Sequence, residues 1–123
     1  MILYNAIRTP DGTVIQSRSV HDYVTHKDAN GKYYAVDGGF EYLRRVGSPD
    51  YEEMFLTDKD DFSKVREVVT WGTRGKDGKQ PLEYKKIKDL ETEHVYAILA
   101  TQVLSKEMQY VLCTELEFRK VNE

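Results

Sequence analysis

The sequence predicts an α+β fold: an N-terminal antiparallel sheet built from hairpins, followed by two C-terminal helices. Three observations predict it. Turn residues punctuate short β-rich runs in the first third, an Asn30-Gly31 pair separates two of those runs, and from about Leu90 the apolar residues change to helical spacing. "ILYNAIRT" and "TVIQSR" flank Pro10-Asp11-Gly12, where proline presets φ and glycine supplies a positive φ, so they form a first hairpin. "HDYVTHKDA" and "KYYAVDGG" flank Asn30-Gly31 and form a second. Residues 2–39 thus read as four strands. "FEYLRRVG" continues as a strand or opens a short helix, residues 47–51 link, and "EEMFLT" forms an edge strand. "DDFSKVREVV" makes a turn or two of helix capped by Asp60 or Asp61. "LEYKKIKDL" carries a poor strand alternation. Val95, Ile98, Leu99 and Val103 then define one helical stripe, and Ser105 caps a second helix bearing Met108, Val111, Leu112 and Leu116. Both stripes read as core or dimer faces.

At 123 residues the chain reads as a single domain over 1–123, with sheet to about residue 88 and helices over about 90–121. A charged fraction of 32% beside 40% hydrophobic residues marks a globular chain. The net charge of −3 argues against a dedicated duplex-DNA binder. Cys113 is the only cysteine, which excludes an intrachain disulfide framework and suits a reducing cytosol. No apolar run approaches the roughly 20 residues of a membrane span, and the N-terminal residues lack the pattern of a signal peptide.

The stretch "VTWGTRGKDGKQPL" is the first candidate site. Gly72, Gly75 and Gly78 recur every three residues, with Trp71 at the entrance and Arg74, Lys76 and Lys79 between and after them. It is not a Walker loop: five residues separate Gly72 from Gly78, Gln80 stands where Ser or Thr is required, and Pro81 follows where a helix should begin. Its charge is nonetheless distinctive. From Arg74 to Lys88 there are six cations (Arg74, Lys76, Lys79, Lys85, Lys86, Lys88) and two acids (Asp77, Glu83), a balance of +4 in a chain of −3. Glycines let backbone N–H groups approach an anion, and Trp71 offers a face to a base. A solvated glycine-rich loop is the plainer alternative.

"VDGGFEYLRR" is the second candidate. Asp37 and two glycines precede Tyr42, Arg44 and Arg45, and paired arginines can grip phosphates bidentately; a bulge followed by an exposed charged edge is the alternative. His21 and His26 fall on opposite faces of a presumed strand, which disfavours joint metal ligation. His94 is expected to be exposed in a first helical turn, and Cys113 to sit within a helical stripe. No nucleophile–base–orienter set is evident, which points to binding and not to catalysis, with no cofactor, catalytic residue or metal ligand assigned. Nine tyrosines suit interfaces and ligand pockets.

Two long blocks, "HDYVTHKDANGKYYAVDGGFEYLRR" and "WGTRGKDGKQPLEYKKIKDLETEHVYAIL", resemble the Thoeris anti-defence proteins of phages and prophages, in particular the first-described type of sponge. The resemblance spans roughly residues 1–117. It implies a non-enzymatic protein in the cytoplasm of the bacterial host that captures cyclic ADP-ribose isomers made by TIR-domain defence enzymes. It further implies capture of cyclic oligonucleotides at a separate site, and homodimers or larger assemblies. Individual ligand contacts do not follow from it. The candidate ligand-binding set, Trp71, Gly72, Arg74, Gly75, Lys76, Arg44, Arg45, Tyr42 and Asp37, rests on residue chemistry. Two rival classes stay open on the residues: a hydrolase of a cyclic nucleotide signal, and a small nucleic-acid-binding module using the basic segment 74–88.

Overall fold

The N-terminal run begins as β1 (Ile2–Tyr4) and resumes as β2 (Ala6–Arg8), broken at Asn5 where the sequence predicts one continuous strand. The break has a cause. Asn5 is fully buried, and its side-chain amide donates to the backbone carbonyls of Asp37 (3.1 Å), Gly39 (2.9 Å) and Tyr42 (3.1 Å). A buried amide must be satisfied, and here it pins the turn over residues 38–43. The structure, a computed structural model, describes residues 1–75 and 77–122. The chain divides into two compact units, Met1–Lys59 and Asp60–Glu123.

In the first unit the two predicted hairpins form. β2 pairs with β3 (Val14–Gln16) around Gly12, and β4 (Val24–Lys27) pairs with β5 (Tyr33–Asp37) around Gly31; both glycines have φ near +80 to +90°. "FEYLRRVG" resolves as strand β6 (Arg44–Gly47), which pairs with β5. The expected edge strand "EEMFLT" is instead two short strands, β7 (Glu52–Glu53) and β8 (Leu56–Thr57), which serve different sheets. The strands are antiparallel in sheets ordered β1-β8, β3-β2-β7 and β4-β5-β6. β5 is central in its sheet, so Tyr34, Ala35, Val36 and Asp37 are all buried. Ile7, Ile15, Tyr34 and Val36 form the core of this unit, with Val24 and Tyr51 packed against it. His21 lies in a turn before β4 and not on it, while His26, on β4, bonds Asp11 Oδ2 through Nε2 at 2.8 Å.

Two exposed carboxylates lace the loops of this unit. Asp11 accepts from the Thr9 hydroxyl, from His26 and from the Thr13 N–H (3.1 Å). Asp50 accepts from Lys32 Nζ (2.8 Å), the Tyr34 hydroxyl (2.6 Å) and the Ser48 hydroxyl (2.7 Å). These bonds hold both carboxyls well below the usual range, led by Thr9 for Asp11 and by Lys32 for Asp50. A group whose pKa is depressed by folding contributes stability above its unfolded value and loses it as pH falls through the folded one. The melting temperature is therefore expected to hold from about pH 7 to 5 and to drop below about pH 4, with a shallower drop in Asp50→Asn. Melts followed by circular dichroism check this, and a midpoint unchanged down to about pH 2 would contradict it.

The second unit opens with α1 (Phe62–Val68), capped by Asp61, whose carboxylate accepts from the Ser63 N–H at 3.0 Å. β9 (Thr70–Thr73) and β10 (Glu83–Lys86) form an antiparallel ribbon in the register Thr73↔Glu83, Gly72↔Tyr84, Trp71↔Lys85, Thr70↔Lys86. One turn of 3-10 helix (Ile87–Asp89) leads to α2 (Thr92–Thr101) and α3 (Lys106–Asn122), the two predicted C-terminal helices. Val65, Val69, Ile87, Leu90, Val95, Ile98, Val111 and Leu112 are buried here. Ser105 caps α3 as predicted, its hydroxyl accepting from the Met108 N–H at 3.1 Å.

Two expectations about the stripes need correction. α2 ends at Thr101, so Val103 lies beyond it and is fully exposed. On α3 the buried positions are Glu107, Val111, Leu112 and Glu115, while Met108 and Leu116 are half-buried and Cys113 is exposed. The face is rotated because Glu115 points inward to two arginines. Arg66 grips it bidentately, Nε to Oε1 and Nη2 to Oε2 at 2.8 Å each, and Arg119 Nε donates to Oε2. Burial pushes the Glu115 carboxyl up more than any other single cause, yet the two arginines together hold it below its ordinary value. Among the described residues no helix is long and apolar enough to cross a membrane.

Candidate functional site

The β9–β10 ribbon and α2 bound an open groove of about 950 Å³ within the second unit. Residues directly opposed in a sheet share a face, so Trp71 with Lys85, and Thr73 with Glu83, stand together, and all four line the groove. Trp71 is half-buried, while Arg74 and Gly75, which continue the same wall past the end of β9, are exposed. The sequence-predicted group Trp71, Gly72, Arg74 and Gly75 is thus gathered on one wall. Lys76 lies outside the described residues.

The glycines have structural work as well. Gly72 sits opposite Tyr84, and a Cβ there would lie 3.1 Å from the Tyr84 ring and 3.3 Å from a Leu82 methyl. Its bare backbone lets the ring lie across the strand. Gly75 has φ +81°, and its N–H already donates to the Thr73 hydroxyl at 3.2 Å. The Gly78 N–H donates to the Gly75 carbonyl at 3.3 Å. The turn therefore spends these N–H groups on itself, which leaves less of the anion nest that the glycine spacing suggests. Arg74 is different: among the described residues nothing bonds its guanidinium.

The opposite wall was not foreseen from the residues. Asp89, Glu91, Glu93 and His94 line it, with Ala97 and Ile98 behind. His94, expected to be exposed, is half-buried there. Counting charged side chains, the groove holds Arg74 and Lys85 against Glu83, Asp89, Glu91 and Glu93. Two cations of the basic segment, Arg74 and Lys85, thus share the groove with four acids. The signal was present in "KDLETEH", but acids at a helix start ordinarily answer the helix dipole, and only folding brings them opposite Arg74.

The second candidate set belongs to the first unit. Arg44 is largely exposed and lies 3.7 Å from Asp37 Oδ2, to which the Tyr42 hydroxyl also donates at 3.4 Å. Arg45 is only 11% exposed and is spent on structure. It donates to Asn5 Oδ1 (2.6 Å), to the Ala6 carbonyl (3.4 Å), and through Nε (3.0 Å) and Nη2 to the two oxygens of Glu53. Asp37 is buried and accepts the Gly38 N–H at 2.8 Å. Arg45 and Asp37 brace the turn over residues 38–43, and Arg44 and Tyr42 are the members of the set that face solvent.

Fold and groove together define a small α+β module with a two-signed groove beside an exposed glycine turn. No family model, no curated protein and no solved structure matches the chain.

Proposed function

We propose that the chain is a phage or prophage anti-defence protein that binds and sequesters, without cleaving, a cyclic ADP-ribose-type signal made by a TIR-domain enzyme, so blocking the Thoeris response. Besides the resemblance of its two sequence blocks to the sponge family, one observation carries this reading: a groove large enough for a nucleotide, with Trp71 on one wall beside Arg74, whose guanidinium nothing among the described residues bonds. The ligand has two phosphates, two riboses and an adenine. Arg74 and Lys85 answer the phosphates, Trp71 stacks on the base, and carboxylates on the far wall accept hydrogen bonds from ribose hydroxyls, a pairing familiar from dinucleotide sites. A homodimer or larger assembly, and capture of cyclic oligonucleotides elsewhere on the protein, belong to the same proposal.

The test is retention. Protein is mixed with a panel of cyclic ADP-ribose isomers and cyclic oligonucleotides, freed of unbound ligand, heat-denatured, and the released molecules are identified by mass. The expected result is an intact cyclic ADP-ribose isomer; linear ADP-ribose growing with time and protein would sink the reading. Arg74→Ala removes a charge-assisted contact worth about 1.5–3 kcal/mol, so affinity is expected to fall roughly ten- to a hundredfold with melting nearly unchanged. Wild-type affinity in a folded Arg74→Ala protein would move the site away from the groove.

A further inference from the structure

One side chain, Arg119, ties together the segment that carries the acidic wall of the groove. The Arg119 guanidinium donates through Nη2 to the carbonyls of Ile87 (3.1 Å) and Leu90 (2.6 Å), and through Nη1 to the Thr92 hydroxyl (2.9 Å). These three acceptors bracket the segment that carries Asp89 and Glu91 and begins α2, which carries Glu93 and His94. That helix start has no side-chain cap of its own. Arg119 is in turn fixed by Glu115, which is 0% exposed, and Glu115 by Arg66, whose guanidinium lies 4.5 Å over the Phe118 ring. A planar fork with several donors suits this task, because it can satisfy carbonyls on one side while holding a carboxylate on the other.

We infer that Arg119 is a positioning residue for the groove: it sets where the wall bearing Asp89, Glu91, Glu93 and His94 stands relative to the ribbon bearing Trp71 and Arg74. It does not itself line the groove. Its link to ligand capture rests on the function proposed above, but its effect on the wall does not. The two arginines on Glu115 make the inference testable. Both belong to the same buried ion pair, but the bonds of Arg66 run to Glu115 and Phe118, whereas those of Arg119 also reach the wall.

Trp71 is the only tryptophan and lines the groove, so its fluorescence reads the groove without any ligand. Arg119→Lys keeps a charge for Glu115 but cannot bridge all three wall acceptors. The expected result is a shifted Trp71 emission and altered acrylamide quenching in Arg119→Lys, with retained cyclic ADP-ribose isomer weakened by roughly three- to thirtyfold. Arg66→Lys, which weakens the same ion pair, is expected to leave Trp71 emission and quenching as in the wild type. Thr92→Val, on the exposed helix start, removes one wall acceptor without touching Glu115 and is expected to shift Trp71 in the same direction as Arg119→Lys by a smaller amount; it decides the matter if Arg119→Lys does not fold. Wild-type emission and quenching in the folded Arg119 and Thr92 variants, or the same change in Arg66→Lys, would overturn the inference. If the wild-type protein retains no cyclic ADP-ribose isomer, the proposed function fails, and the fluorescence comparison still decides the role of Arg119.

Discussion

Glu115→Ala is expected to destabilise the second unit by about 3–5 kcal/mol, the cost of breaking a buried ion pair from one side. The carboxylate is fully enclosed and accepts three hydrogen bonds from two arginines. Removing it leaves two guanidinium groups facing each other, Arg66 with 20% and Arg119 with 15% of their side chains exposed, with little water to replace the lost anion. Against a total stability of roughly 5–15 kcal/mol, such a loss brings the unit near unfolding. Urea denaturation at neutral pH reads it as a shift of midpoint at constant slope. Glu115→Gln should lie between, since it keeps the shape and loses the charge. A change below about 1 kcal/mol in Glu115→Ala would mean that the pair contributes no more than a surface ion pair does.

Gly39→Ala is expected to cost about 2–6 kcal/mol, combining left-handed backbone strain with overpacking. Gly39 has φ +53°, and a Cβ there would stand 2.2 Å from the Ser19 carbonyl carbon. Backbone cannot swing aside as a long side chain can. The Gly39 N–H and carbonyl are moreover bound to the Ser17 hydroxyl (3.0 Å) and the Asn5 amide (2.9 Å), so relief of the clash would break a buried bond. Gly12→Ala is the control. Its φ is +89° but its Cβ would meet nothing within 4 Å, so only the strain, about 1–3 kcal/mol, should appear. Thermal melts of the two variants check the contrast, and equal losses would show that the Ser19 contact relaxes at no cost.

The features legible in the sequence are those that local chemistry decides. Both hairpins follow from their turn residues, α1 and α3 begin at Asp61 and Ser105 because short polar side chains cap helices there, and Val95 and Ile98 are buried as their spacing requires. What escaped depends on partners distant in the chain. Asn5 reads as an ordinary strand residue until its amide meets carbonyls more than thirty positions away. Glu115 breaks an apolar pattern that Arg66, 49 residues earlier, and Arg119 together make tolerable. The site divided along the same line. Trp71 and Arg74 were visible as a local motif, whereas the carboxylates opposite them required the fold, and Arg45 looked free until Asn5 and Glu53 claimed it.

The pairing of β1 with β8, sealed by the Met1 ammonium on Asp58 at 2.7 Å, fixes the order in which the first unit can be completed during synthesis. Within the unit, β1 is made first and its partner β8 near the end, 55 positions later for the Ile2–Thr57 pair. At ribosomal speeds of about 5–20 residues per second, β1 waits roughly three to eleven seconds with its backbone edge open. The β2–β3 and β4–β5 hairpins close within that interval, because their partners are a few residues apart. The β1–β8 pair is then the last of the unit to be sewn in, once residues 56–58 have been made.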